Sequence, residues 1–170
     1  MSNKIRVGIS ACLLGEKVRY DGGHKLDNYL TDTLGTQVEW VPVCPEAGAG
    51  LPVPREPMRL VEKPGSLQLI TVNTGINLTD QIWAWSEKWL TEQKTTDLRG
   101  FVFKSGSPSC GIKDVEVFTS SGQPNSRGTG IFCAAFVKRF PLLAVADERN
   151  LQDTKLRNTF LDRLGCSRIY

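Results

Sequence analysis

Four short runs of this chain, residues 5–11, 38–43, 100–104 and 142–146, are apolar or β-branched at successive rather than alternate positions. A strand with one wet face alternates; a run that does not alternate is buried on both faces. The segments between these runs show helical spacing. Leu78, Ile82, Trp85 and Trp89 predict an amphipathic helix ending near Gln93, with Asn77 as its N-cap. Leu26, Tyr29, Leu30 and Leu34 predict a short helix stopped by Gly35, and residues 131–140 predict a buried one. A last helix is expected over 150–164, with Leu151, Leu156, Phe160, Leu161 and Leu164 on its apolar face. Strands buried on both faces, alternating with helices, specify an α/β layered fold with a largely parallel central sheet flanked by helices. Residues 58–62 and 67–72 add two strands joined at Pro64-Gly65, and 115–118 adds a shorter one. Residues 122–130 read as a polar loop, and the Pro- and Gly-rich stretch 45–57 as a stiff loop without helix. The 170 residues suit a single domain, 1–170.

Composition excludes several function classes. Hydrophobic residues make up 40% and charged residues 23%, enough for a packed core and too balanced for a disordered chain. No stretch approaches about 18 uninterrupted apolar residues, so no membrane span is expected. The first residues lack a signal-peptide core, which places the protein in the cytoplasm. The net charge of +3 is too small for a stable nucleic-acid partner. A small-molecule partner and a monomer or weak dimer are expected.

The five cysteines, Cys12, Cys44, Cys110, Cys133 and Cys166, form no CxxC pair, and His24 is the only histidine. Thiols in a reducing compartment are free or bind metal. Cys12, Cys44 and Cys110 each follow an apolar strand, directly or after a short loop. In a parallel sheet the C-terminal strand ends share one edge, where ligands bind. Three cysteines distant in sequence therefore have a common meeting place. Soft sulfur ligands select an iron–sulfur cluster, zinc or copper(I). A structural zinc needs a fourth donor, and a 4Fe–4S cluster on three thiolates leaves one iron without a protein ligand. The bland alternative is three small loop residues. Cys133, inside an apolar run, and Cys166, after the last helix, read as structural.

Three motifs surround these cysteines: SACLLGEKVRYDGGHK at 10–25, VPVCPEAGAGLPVPREP at 41–57 and KSGSPSCG at 104–111. Together and in this order they resemble the thiouracil desulfidase family, over nearly the whole chain. The resemblance implies a 4Fe–4S cluster held by Cys12, Cys44 and Cys110. It implies non-redox removal of sulfur from a thiolated uracil base or nucleotide, 2-thiouracil or 4-thiouridine monophosphate, with release of hydrosulfide. It implies catalytic roles for Glu46 and for a serine, assigned to Ser107 ahead of Ser105 and Ser109. The residue types suit that chemistry: a soft thiocarbonyl sulfur for iron, a carboxylate to activate water, a hydroxyl for the developing oxyanion. Arg55, Lys104 and Arg127 are candidate substrate contacts through a phosphate. Gly128-Thr129-Gly130 is a candidate anion-binding helix start, and Tyr20 or His24 a candidate stacking residue. The alternative is a non-enzymatic zinc- or nucleotide-binding module.

Overall fold

The computed structural model describes residues 4–93 and 97–167. Its strands are β1 (Ile5–Ser10), β2 (Val38–Val43), β3 (Met58–Lys63), β4 (Ser66–Thr71), β5 (Leu98–Phe103), β6 (Val115–Phe118), β7 (Pro124–Gly128) and β8 (Ala144–Asp147). Its α-helices are α1 (Pro45–Gly48), α2 (Thr79–Gln93), α3 (Ile131–Arg139) and α4 (Thr154–Leu164). The four doubly apolar runs supply the four strands of one sheet, in the order β2-β1-β5-β8. Every pairing in it is parallel. Burial follows the pleat. Val7, Ile9, Val102, Ala144 and Ala146 pack on one side against Leu30, Leu34 and the α4 residues Phe160, Leu161 and Leu164. Phe101 and Phe103 point the other way, against Leu90 of α2 and Phe132 and Phe136 of α3. Trp85 and Trp89 pack in that second layer, in ring contact with Phe132, so the tryptophan stripe is core.

A second four-stranded sheet has the order β4-β3-β6-β7. Its β3–β4 and β6–β7 pairs are antiparallel hairpins, and β3 and β6 run parallel. Leu60, Leu69, Val115 and Val117 join it to Leu78, Ile82 and Ile131 in a separate apolar cluster.

Four expectations need correction. Residues 45–48 do form a helical turn, because proline is tolerated at the first helical position, where no N–H is required. Residues 124–128 form strand β7 rather than a loop; it is an almost wholly exposed edge strand and so carries no apolar periodicity. The short helix near residue 30 is a π-type turn, Tyr29–Thr33, followed by a 3-10 turn, with Leu26 outside it and exposed. The last helix begins at Thr154 with Asp153 as N-cap, and Leu156 lies half exposed on its outer side.

The start of α3 is the join on which the site rests. Its first amides, on Ile131, Phe132 and Cys133, donate to the carbonyls of Pro108 and Ser109, and Gly130 N donates to Gly111 O. The helix start therefore clamps the 107–111 loop and is not free for an anion, against the expectation for Gly128-Thr129-Gly130. The approach is close enough to require glycine. A Cβ at Gly130 would stand 2.5–2.7 Å from the Ser109 carbonyl and the Cys110 nitrogen. Gly130→Ala is expected to cost about 1–3 kcal/mol of stability, read as a lower urea midpoint.

Candidate active site

Because β1, β2 and β5 run parallel, their C-terminal ends deliver Cys12, Cys44 and the 104–111 loop to one edge. A 3-10 turn, Ala11–Leu14, carries Cys12; Cys44 is the residue before α1; Cys110 lies in the loop held by α3. All three thiols line a small inner chamber of about 50 Å³, with Ser10, Arg19, Glu46, Lys104 and Ser107 among its other walls. An outer chamber of about 310 Å³ opens from it, lined by Arg19, Tyr20, Pro57, Met58, Ser105 and Pro108 among others. Arg19, Glu46, Lys104 and Ser107 border both.

The three thiols are free. Burial pushes the Cys12 thiol up to about 11, against the pull of nearby Arg19 and Lys104. Burial likewise raises Cys44, and raises Cys110 well above its ordinary value, with the neighbouring thiols and Glu46 adding to the shift. Thiols that resist ionisation this strongly become thiolates only when a cation replaces their protons. Among the described residues no group of three or more His, Cys, Asp or Glu side chains closes around a single metal ion. Four ligands on one zinc at about 2.3 Å must nearly touch one another. A cuboidal cluster places each thiolate on a different iron, so its ligands stand farther apart. Three soft donors around a shared chamber, with His24 exposed and the nearby Glu46 carboxylate already held by Arg55, fit a 4Fe–4S cluster better than one ion.

Glu46 sits in α1, two residues after Cys44. Its Oε2 accepts a hydrogen bond from Arg55 Nη2 at 2.8 Å, and the arginine side chain is only 5% exposed. Oε1 has no hydrogen-bond partner among the described residues. Arg55 is turned inward: Nη2 also donates to Val18 O and Nη1 to Pro52 O, while Nε is buried without a partner. It fastens the 44–57 loop to the 15–25 loop and lines neither chamber. Ser107 Oγ accepts the amides of Ser109 and Cys110 at 3.3 and 3.1 Å, which leaves its own proton to donate. Ser105 is buried and its hydroxyl donates to Glu148 at 2.5 Å; Ser109 is buried with Oγ unpaired. Of the three serines, Ser107 is the one that lines both chambers with a proton to give.

Lys104 borders both chambers, yet its ammonium donates to Glu148 Oε1, Ser105 O and Ser105 Oγ at 2.7–3.1 Å. Three donors are spent on three acceptors, so Lys104 contributes charge rather than a free phosphate contact. Arg127 lies on exposed β7, donates to Asp114 O, and borders a separate shallow basin with Lys113 and Arg149. The structure thus brings together Cys12, Cys44, Cys110, Glu46, Ser107 and Lys104, ties Arg55 behind Glu46, and leaves Arg127 outside. Tyr20 lines the outer chamber, 41% exposed; His24 lines neither.

The 2-thiouracil desulfurase family pattern matches residues 7–148, most of the chain. The chain belongs to the 2-thiouracil desulfurase family. The uncharacterized protein YbbK of Bacillus subtilis (strain 168) is 29% identical over 131 residues, 74% of this chain and 85% of that protein. A solved structure of the 4Fe–4S-dependent thiouracil desulfidase TudS matches with a TM-score of 0.68 at 32% identity, covering 92% of this chain and 99% of that one.

Two residues of this desulfurase-family site escape sequence reasoning. Arg19 lies inside the first motif and passes for a loop charge. Glu148 follows β8 directly, the fourth strand to end at the same edge; the rule that gathered the cysteines also places it. The turn that presents it is fixed by Asp147 Oδ1, which accepts the amides of Arg149 and Asn150. Burial pushes the Glu148 carboxyl up, but hydrogen bonds from Lys104 and from the Ser105 hydroxyl and amide outweigh it and hold the group below the ordinary range. A carboxyl lowered in this way stabilises the fold fully above its unfolded value of about 4.3, and the contribution fades as pH falls through the lowered value. Glu148→Gln strands the Lys104 ammonium, at a cost on the order of 3 kcal/mol at pH 7. Urea unfolding at pH 7 and at pH 3 is expected to show that gap shrinking in acid; an unchanged gap would deny the ion pair its role.

Among the described residues no helix is long and apolar enough to cross a membrane.

Proposed function

We propose that this chain is a non-redox desulfidase. It removes sulfur from a thiolated uracil base or its nucleotide at a 4Fe–4S cluster held by Cys12, Cys44 and Cys110. The observation that carries this reading is one chamber shared by three metal-seeking thiols, a carboxylate and a hydroxyl with a proton to donate. Membership of the 2-thiouracil desulfurase family and the likeness to TudS support it. The outer chamber has the volume of a small-ligand pocket, for which about 300 Å³ is the lower bound.

When bound, the cluster supplies an iron without a protein ligand, a Lewis acid for a soft thiocarbonyl sulfur. The chain's own groups do the rest. Glu46 Oε1 takes a proton from the water that attacks the sulfur-bearing carbon. Arg55 on Oε2 keeps the carboxylate turned for that task. Negative charge gathers on the sulfur as the carbon turns tetrahedral; Ser107 Oγ–H then donates to the new hydroxyl oxygen, which turns negative as it gives up its second proton. Glu46 passes the first proton to the sulfur and takes the second from the hydroxyl as the C–S bond breaks and the carbon closes to a carbonyl; that second proton leaves to solvent. Water and thiocarbonyl become carbonyl, hydrosulfide and a proton, with no electron gained or lost.

The test is anaerobic reconstitution with iron and sulfide, followed by sulfide-release assays on 2-thiouracil and 4-thiouridine monophosphate. The expected result is a brown protein with about four irons per chain that forms uracil or uridine monophosphate. A colourless, iron-free wild type after reconstitution would sink the reading.

A further inference from the structure

The cations singled out in the sequence are occupied or distant, and the cation left facing the site is Arg19. It borders the inner chamber beside the three thiols and the outer chamber beside Tyr20, Met58 and Pro108. Its side chain has no hydrogen bond or ion pair among the described residues. Nε is buried with no partner, and the guanidinium lies over the Tyr20 ring, 5.7 Å from its centroid. The backbone that carries it is held firmly. Arg19 N donates to Gly23 O and Gly22 N to Arg19 O, while Arg55 grips the carbonyls of Val18 and Tyr20 on either side. A guanidinium in a cavity wall with no protein acceptor on it is open to an acceptor on a ligand, because arginine only donates.

We infer that Arg19 is a substrate-binding residue that hydrogen-bonds the ring carbonyl oxygen of the thiolated pyrimidine. The inference rests on the proposed function and deepens it into a rule of selection. In 2-thiouracil and in 4-thiouracil alike, the C=S and C=O groups flank the same ring nitrogen. One donor beside the sulfur position therefore serves both isomers. Tyr20, Met58 and Pro57 supply apolar walls for a flat ring, and the position of Arg19 on both chambers sets it near the reacting end rather than only at the mouth. A pyrimidine-2-thione, which has the sulfur and no oxygen, leaves the guanidinium unpaired and is rejected.

The experiment uses the reconstituted wild type, Arg19→Gln and Arg19→Lys. Iron content and visible spectrum come first; equal values across the three exclude a role in holding the cluster. The kcat and KM for sulfide release are then measured on 2-thiouracil, 4-thiouracil, pyrimidine-2-thione and 4-thiouridine monophosphate. Loss of a charged hydrogen bond lowers kcat/KM for both thiouracils about 10–100-fold in Arg19→Gln, mainly through KM. Pyrimidine-2-thione changes by less than about threefold, since it never had the bond. Arg19→Lys recovers part of the loss, as a charge without the planar fork. Uracil binding by calorimetry supplies an arm independent of turnover and weakens by the same factor. An equal loss on all four compounds, a loss confined to the monophosphate, or a loss of iron would overturn the assignment. A wild type that releases no sulfide but binds uracil through Arg19 defeats the proposed function and leaves the assignment standing. A wild type that binds no uracil and shows no Arg19 dependence defeats the assignment.

Discussion

Cys110→Ala is expected to bind no cluster and to release no sulfide from any thiolated pyrimidine. The reason is local. Cys110 lies 5% exposed in a loop whose neighbours are pinned by the first amides of α3, so the backbone cannot swing another donor into its place. Ser109 and Ser107 offer hard oxygens where soft sulfur is wanted, and His24 lies exposed on another loop, outside both chambers. Iron per chain should fall from about four to near zero after desalting, with loss of the visible absorption. Cys12→Ala and Cys44→Ala should behave alike, because each thiol comes from a different strand end and none can stand in for another. Cys133→Ala is the control. That thiol is wholly buried among Phe101, Phe132 and Phe136, and burial raises it to about 12. Removing its sulfur should lower stability by about 1 kcal/mol through a small cavity and leave the iron content unchanged. Full iron loading of Cys110→Ala would reject the three-cysteine assignment outright.

The difference between what was legible in the sequence and what was not follows from two kinds of signal. Doubly apolar runs are read directly, so the parallel sheet and the strand ends that gather Cys12, Cys44 and Cys110 are legible in the sequence. Family resemblance marked Glu46 and Ser107. Charge partners were not visible. Arg55 looks like a phosphate contact until its guanidinium is found turned inward onto Glu46 and Val18 O. Lys104 looks free until Glu148, 44 residues later, arrives from β8. A polar side chain carries no periodicity, and its partner is chosen by tertiary approach. The glycines at 128 and 130 misled for a related reason. A helix start does attract acceptors, and here the acceptors are the carbonyls of the chain's own loop. Strand β7 was lost because an exposed edge strand has no buried face to impose alternation on its sequence.

Glu46→Gln is expected to keep the cluster and lose the reaction. The amide oxygen of glutamine can still accept from Arg55 Nη2, so α1 and the loop tie persist, and Cys44 keeps its place before the helix. What disappears is a group able to take a proton from water and give it back. Loss of a general base of this kind lowers kcat by about 10²–10⁴. KM for 2-thiouracil should move little, because the sulfur and ring contacts are made elsewhere. Glu46→Asp separates position from chemistry. It retains the carboxylate but draws it back by one methylene toward the backbone of α1, and geometry errors of this size cost about 10²-fold. Arg55→Met completes the argument. It leaves Glu46 chemically intact and removes the grip on Oε2, so its loss in kcat should be smaller than that of Glu46→Gln. The double variant Arg55→Met with Glu46→Gln should then be no slower than Glu46→Gln alone, since a positioning residue has no effect once the group it positions is gone. Additive losses in the double variant would mean that Arg55 acts on the substrate directly, and the division of labour between carboxylate and guanidinium would have to be redrawn.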